Sequence, residues 1–218
     1  MSYRRLAGIA GILAVILIVV PQIPFLGGYP APASSGQKIL AYLADNHRGW
    51  QVASLLWALG VFFYLLFLAG LWSVVRESDD KSTPGWSAAL AIGGTGFAVL
   101  GLASGAVQLG LLESAFGGVA SAELASALWI TAGSISGAAA VFLTVFAFSI
   151  AAAGLKIRAL PAAIGWLGLI TGILAGVAVG GLVSARALFA YFGGFAQLAL
   201  SITVLVAAIW MVRERAST

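Results

Sequence analysis

Six long apolar stretches constrain the fold of this chain more than any other feature of its sequence. Each has about 20 residues or more, the length that an α-helix needs to cross a bilayer core of about 30 Å. With 61% hydrophobic and only 8% charged residues, the chain is far more apolar than soluble domains are. We therefore predict an all-α fold, a polytopic membrane helix bundle that forms a single integral membrane domain over residues 1–218. The six predicted transmembrane helices lie at about residues 6–26, 52–75, 86–112, 126–153, 162–184 and 188–212.

The basic residues between these stretches predict the orientation of the chain, because cytoplasmic loops of membrane proteins are enriched in Lys and Arg. The richer side carries Arg4, Arg5, Arg76, Lys81, Lys156, Arg158, Arg213 and Arg215. The other side carries only Lys38, Arg48 and Arg186. Both termini are therefore expected in the cytoplasm. The start of the chain is similar to a signal peptide, and we interpret it as the first span. The bias toward Ala, Gly and Arg is typical of a GC-rich bacterium, so we expect the bacterial plasma membrane.

The longest connection, residues 27–51, contains a helical pattern of its own. Ser34 and Gln37 have the spacing of a capping box, and apolar residues then recur at helical spacing through Leu43. This pattern predicts a short amphipathic helix on the outer membrane surface, between the first two spans. Gly49 is expected to break this interfacial helix before the second span begins.

Several classes of chemistry are excluded by what the sequence lacks. It has no cysteine, which excludes disulfides, thiol nucleophiles and thiolate metal sites. No Lys, Arg, Asp, Glu or His lies deep in a predicted span, although such residues are usual in proton pumps and ion-coupled transporters. No phosphate-binding Walker motif or nucleophile elbow occurs, and the scattered basic residues form no nucleic-acid patch. We predict no catalytic residue, no cofactor, no metal and no nucleic-acid partner, and enzymatic activity stays open.

The only histidine, His47, lies in the segment ADNHRGW and has two interpretations. It has the chemistry of a general base, a proton sensor or a metal ligand. A metal site is not predicted, because only Asp45, Glu113 and Glu123 are available beside it on the outer side. The other interpretation is a surface or packing role. One helical turn beyond Leu43, the side chain is expected to face the membrane or the bundle.

Polar side chains near the outer ends of the spans form a candidate ligand-binding cleft. Ser104 and Gln108 share one face of the third span, and two polar residues share a face of the sixth. The cleft would bind a small molecule or a lipid headgroup, with Arg186 holding an anionic group. In the alternative interpretation these groups only form hydrogen bonds between helices, worth about 0.6 kcal/mol each. The residues of the predicted cleft are Gln108, Gln197, Arg186, Glu113, Ser104, Ser201 and His47.

Glycines at regular spacing predict close helix packing in the fifth span. Gly168, Gly172, Gly176 and Gly180 recur every four residues, as in a glycine zipper. In lipid, such residues let helix backbones approach each other. We expect this helix in the centre of the bundle or at an interface between copies of the protein.

Two segments carry a resemblance to known families. ILAYLADNHRGW leads directly into the second span, and LPAAIGWLGLITGILA opens the fifth, over residues 160–175. In these segments the chain resembles widespread bacterial six-span membrane protein families of unknown function. The resemblance implies six spans and a helix before the second span. It implies no activity, so no functional residue is transferred from it.

Three functional hypotheses follow. The first is an integral membrane protein without catalytic activity that binds a lipid or small amphiphile, or that accompanies a larger membrane complex as an accessory subunit. The second is a facilitative transporter or channel that uses the outer cleft. The third is an enzyme of the outer leaflet that uses His47, Asp45, Glu113, Glu123 and Arg186. The expected partners are membrane lipids, a second copy of the chain or another membrane protein.

Overall fold

The structure is a computed structural model that describes residues 2–25, 29–31, 34–78, 85–182 and 187–213. These residues form helices and turns and contain no β-strand, which confirms the predicted all-α class. Short 3-10 segments, Val20–Phe25 and Val179–Leu182, extend α1 and α5. The helices are α1 (Tyr3–Val19), α2 (Gly36–Ser78), α3 (Trp86–Phe116), α4 (Ala122–Leu155), α5 (Ala162–Ala178) and α6 (Ala187–Arg213).

Five helical stretches of the described chain are long and apolar enough to cross a membrane. They are Tyr3–Pro24, Gly36–Ser78, Trp86–Phe116, Ala122–Leu155 and Tyr191–Arg213. The remaining helix, α5, is apolar but has only 17 residues. The chain thus has the architecture of a multi-pass membrane protein, as its composition predicts.

The six helices pack as a ring in chain order. Each helix contacts the next one along the chain, and α6 returns to pack against α1. Across the ring, α2 meets α4, and the fully buried Phe67 and Phe146 belong to these two helices. The centre of the bundle is therefore filled by large apolar side chains of α2 and α4.

Close packing of α4 against its neighbours occurs at glycines. A methyl group placed on Gly93 of α3 would lie 2.5 Å from the backbone nitrogen of Phe146. Between α4 and α5, a methyl group on Gly154 would lie 2.6 Å from the Cα of Gly165. Such distances leave no room for a side chain, so the helix backbones are in direct contact, as is usual where lipid replaces water.

Of the two positions expected for the fifth span, the structure contradicts the centre of the bundle, and an interface between copies of the protein stays a prediction. Instead of occupying the centre of the bundle, α5 packs between α4 and α6 in the ring. A methyl group on Gly168 would lie 2.8 Å from the carbonyl oxygen of Ala147, whereas one on Gly176 would be 3.9 Å from its nearest neighbour, Thr144. The glycine stripe therefore faces α4 but touches its backbone over only part of its length. Small residues indicate how closely a helix can be approached, and they do not indicate how many helices surround it.

The expected break at Gly49 is wrong, since α2 runs without interruption through this residue. A separate interfacial helix is therefore not found in residues 34–78. The helix begins one residue later than the predicted capping box implies, with Ser35 Oγ accepting a hydrogen bond from Lys38 N at 3.4 Å. Glycine inside a helix costs only about 1 kcal/mol relative to alanine. Tertiary packing on both sides of Gly49 can offset a cost of this size.

The first turns of α2 pack in a second core, separate from the core of the bundle. The apolar stripe predicted around Leu43 is present, but protein covers it rather than lipid, because α3 and α4 extend far enough to meet it. At a rise of 1.5 Å per residue, the 43 residues of α2 span about 65 Å, roughly twice the bilayer core. The helix must project well beyond the hydrocarbon. The second core consists of Ile39, Leu43, Trp50, Ala53, Leu111, Leu112, Ala125 and Trp129.

A hydroxyl pair between α5 and α6 gives a first prediction. Thr171 Oγ1 lies 3.1 Å from Thr203 Oγ1, and both side chains are buried. Each hydroxyl also lies 2.8 Å from a carbonyl oxygen of its own helix, so one threonine donates to that carbonyl and the other donates across the pair. We expect Thr171→Val and Thr203→Val to be coupled by about 0.6 kcal/mol in a double-mutant cycle of unfolding in mixed micelles. Strictly additive effects would show that the two hydroxyls do not share a hydrogen bond.

Candidate functional site

The segment ADNHRGW lies on α2, where it borders an open groove beside the last residue of α3. The groove has a volume of about 530 Å³ and is named here the α2–α3 groove. It occurs at the end of the bundle where α3 finishes and α4 begins. The residues that line it are Ala44, Asp45, Asn46, His47, Arg48, Gly49, Gln51 and Phe116.

His47 contacts the end of α3 through its ring and through Nε2. Its ring stacks on Phe116, with centroids 3.9 Å apart and an interplanar angle of 11°. Nε2 lies 3.7 Å from Glu113 Oε1, and the same oxygen accepts a hydrogen bond of 2.8 Å from Gln51 Nε2. No described residue forms a hydrogen bond with the buried Nε2 of His47. His47 therefore faces the bundle, one of the two orientations expected for it.

Helical spacing and a glycine turn assemble this contact. His47 and Gln51 are four residues apart on α2, and Glu113 and Phe116 are three apart on α3, so each pair shares a helix face. The α3 helix ends at Phe116 because two glycines follow, of which Gly118 has a left-handed backbone with φ 69°. Phe116 is left 68% exposed at the mouth of the groove.

The groove brings together charges of both signs. Asp45 and Arg48 are exposed, and neither forms an ion pair with any residue that the structure describes. Glu113 lies beside the groove, where it meets the lining residues His47 and Gln51; its side chain is 51% exposed, and its Oε2 forms no hydrogen bond or ion pair with a described residue. The site therefore offers a guanidinium and two carboxylates that solvent or a ligand can reach.

An aromatic cluster borders the second core and includes the predicted cleft residue Gln108. The ring of Tyr29 lies 5.0 Å from that of Trp129 and 6.0 Å from that of Trp50. Gln108 Nε2 donates to the hydroxyl of Tyr29 at 3.3 Å, and Trp50 Nε1 donates to that of Tyr42, also at 3.3 Å. Burial of the Tyr29 hydroxyl, with a smaller contribution from Tyr42, raises the pKa of Tyr29 to about 12 although the side chain is 48% exposed. Gln108 thus binds the hydroxyl of Tyr29 and does not line the groove.

The other predicted cleft residues lie elsewhere. Ser104 Oγ is 2.9 Å from Ser136 Oγ and donates to a carbonyl of α4, so it connects α3 to α4. Ser201 Oγ donates to the carbonyl of Gln197 at 2.9 Å within α6. None of these residues lines the α2–α3 groove. Arg186 lies outside the described residues.

The outer-leaflet enzyme hypothesis requires two acid, base or cationic side chains to converge. His47 and Glu113 do so at 3.7 Å, a distance longer than a hydrogen bond. Asp45 is exposed on α2, and Glu123 lies in the first turn of α4, where its own backbone N–H and then the Ser121 side chain lower its pKa. Enzymatic activity therefore stays a hypothesis, which rests on the pair His47 and Glu113 among the described residues.

Sequence reasoning missed Gln51 and Phe116. The signal for Gln51 was its position four residues after His47, on the same helix face. No comparable signal exists for Phe116. Its contact with His47 depends on how α2 and α3 are aligned lengthwise, and the sequence of one helix does not contain that information.

Neither a group of metal ligands among the described residues nor a known relative gives further information about the chemistry of the site. The described part of the chain contains no group of three or more His, Cys, Asp or Glu residues placed to hold a metal ion. The resemblance to six-span families of unknown function stays a prediction. Comparison of the chain with protein-family models, curated proteins and solved structures finds no match.

Proposed function

We propose that the protein is a six-span membrane protein that binds the polar head of a lipid or small amphiphile in the α2–α3 groove. One observation carries the proposal. The groove, with its charges of both signs, lies directly above a stripe of α2 that is apolar and exposed. Head and tail of an amphiphile would therefore meet matching surfaces in the correct order along one helix.

The stripe follows from helical spacing. Ala44 and Arg48 in the groove are followed at steps of three or four residues by the exposed apolar residues of α2, so all lie on one helix face. These apolar side chains are between 44% and 63% exposed. They suit contact with acyl chains. The stripe below the groove consists of Val52, Leu55, Leu59 and Phe62.

Depth in the membrane also favours a lipid headgroup. If the cytoplasmic boundary of α2 lies next to Arg76, about 20 residues of helix place the opposite boundary of the hydrocarbon near Leu55. Residues 45–51 then lie about 5–15 Å further out, in and just beyond the headgroup layer. The groove is thus at the level where lipid phosphates and headgroup amines are concentrated.

Six spans and cytoplasmic termini are part of the same proposal. Together α5 and its 3-10 extension have 17 and 4 residues, a length of about 33 Å that suffices to cross a bilayer core. At the proposed cytoplasmic end, the Arg4 guanidinium lies 4.4 Å from the centre of the Trp210 ring, and that of Arg76 lies 4.9 Å from Trp72. Arginine and tryptophan together are typical of the membrane interface. A bacterial plasma membrane fits this distribution of charge.

Lipid retention tests the proposal. We expect the wild-type protein, released from a mild detergent, to carry phospholipid in native mass spectrometry. Arg48→Gln should lower the retained fraction about tenfold, because a charge-assisted hydrogen bond is worth about 1.5–3 kcal/mol. Lys156→Gln, which removes an exposed cation at the other end of the bundle, is the matched control and should retain lipid.

Two results would contradict lipid binding in the groove. A wild-type protein that carries no lipid would exclude retention altogether. Equal loss in Arg48→Gln and Lys156→Gln would show that lipid binds through general charge rather than through the groove. A protein that copurifies in place of lipid would instead support the accessory-subunit hypothesis.

A further inference from the structure

We propose that the α2–α3 groove selects a zwitterionic headgroup with a primary ammonium, as in phosphatidylethanolamine. The phosphate would bind Arg48, and the ammonium would bind on the side of Glu113 and Asp45. This inference rests on the proposed function and specifies the class of lipid. It follows from how the charges of the groove are distributed and from which of their atoms are already used.

The phosphate side of the site is Arg48. The residue is exposed, and no described residue forms an ion pair with it. A guanidinium presents a planar set of donors that matches phosphate oxygens and can bind two of them at once. Arg48 lies at headgroup depth, above Val52 and Leu55. A lipid whose acyl chain follows this stripe would have its phosphate at the level of Arg48.

The ammonium side of the site is formed by Glu113. Its Oε1 already accepts from Gln51 at 2.8 Å and lies 3.7 Å from His47 Nε2. Its Oε2 forms no hydrogen bond or ion pair with a described residue, so it can accept a hydrogen bond from a ligand. The exposed face of Phe116 adds a second favourable surface, since ring faces attract cations. Asp45 lines the same groove and supplies a further carboxylate.

The balance of charge discriminates between headgroups. Two carboxylates, Asp45 in the groove and Glu113 beside it, stand against one guanidinium, Arg48, so an anionic headgroup would add like charge to this site. A choline headgroup keeps the positive charge but has no N–H to donate, whereas a primary ammonium has three donors. A zwitterion with a primary ammonium is therefore the headgroup that satisfies both sides of the site.

The experiment compares the composition of the lipid bound to the protein with the composition of the surrounding bilayer. The full-length protein is reconstituted in nanodiscs of equal parts phosphatidylethanolamine, phosphatidylglycerol and phosphatidylcholine with identical acyl chains, then released for native mass spectrometry. We expect phosphatidylethanolamine to be enriched about tenfold over both phosphatidylglycerol and phosphatidylcholine in the bound fraction, the effect of roughly one charge-assisted hydrogen bond. The Asp45→Asn, Glu113→Gln double variant should lose this enrichment while still retaining lipid. Glu77→Gln, an exposed acid near the other end of α2, should keep it.

The outcomes separate this inference from the proposed function. Bound lipid with the bulk composition, or with phosphatidylglycerol or phosphatidylcholine enriched as much as phosphatidylethanolamine, overturns the selectivity and leaves lipid binding intact. Absence of bound lipid from the wild-type protein overturns both. Glycerophosphoethanolamine has the same head without acyl chains, and displacement of lipid by an equal concentration of it would overturn the inference by assigning the groove to a soluble ligand.

Discussion

Leu43→Ala is expected to destabilise the packing of α2 against α3 and α4 by about 2–5 kcal/mol, the usual cost of removing a fully buried leucine side chain. Leu43 is 1% exposed and belongs to the second core together with Trp50 and Trp129. These tryptophans are suitable probes, because their fluorescence should report the loosening during thermal unfolding. Hydrogen exchange of residues 36–50 should become faster in parallel.

The control is the same substitution on the same helix. Leu55 is 63% exposed on the apolar stripe of α2, so Leu55→Ala leaves no cavity in the protein and should change stability little. If the segment around Leu43 instead lay on the membrane surface, both variants would behave alike. Similar small effects would therefore refute the second core and restore the interfacial helix.

Gly93→Ala is expected to destabilise the α3–α4 contact by about 1–3 kcal/mol, as overpacking does in a close-packed interior. The added methyl would lie 2.5 Å from the nitrogen of Phe146 and 2.9 Å from the carbonyl oxygen of Phe142. Both are backbone atoms, which cannot rotate away as a side chain can. The two helices would have to separate, and the unfolding midpoint in mixed micelles should fall.

Gly110→Ala provides the comparison on the same helix. A methyl placed there meets nothing within 4 Å, and alanine is the better helix former by about 1 kcal/mol. This variant should be as stable as the wild type or slightly more stable. If Gly93→Ala were equally well tolerated, α3 and α4 would not be in backbone contact at this point.

The helical architecture could be predicted from the sequence because apolar length is a local property. The predicted start of α3 at residue 86 and its end near residue 112 differ little from the observed Trp86–Phe116. The beginning of α2 could not be predicted in the same way. An apolar stripe such as that of Leu43 predicts contact with either lipid or protein. Because α3 and α4 are long enough to reach the stripe, it packs against protein.

The candidate site shows the same limit. His47 and Glu113 were selected because charged and titratable residues are rare in this chain, and the structure places them 3.7 Å apart. The same polarity selects Gln108, Ser104 and Ser201, yet Gln108 donates to the hydroxyl of Tyr29 in the connection after α1, and the two serines form hydrogen bonds between or within helices. Polarity in a membrane protein identifies both candidate site residues and residues that only form structural hydrogen bonds. Tertiary contacts are needed to distinguish the two.

The ring of helices has a consequence for biogenesis. A methyl group on Gly8 would lie 2.7 Å from the carbonyl oxygen of Ala208, so α1 packs directly against α6, the described helix furthest from it along the chain. Helices enter the membrane in chain order, and domains begin to fold before synthesis is complete. The small-residue face of α1 must therefore contact lipid or the insertion machinery until α6 has been inserted. A nascent chain that stops before α6 lacks the helix that packs against α1, so the ring of helices can close only after α6 has entered the membrane.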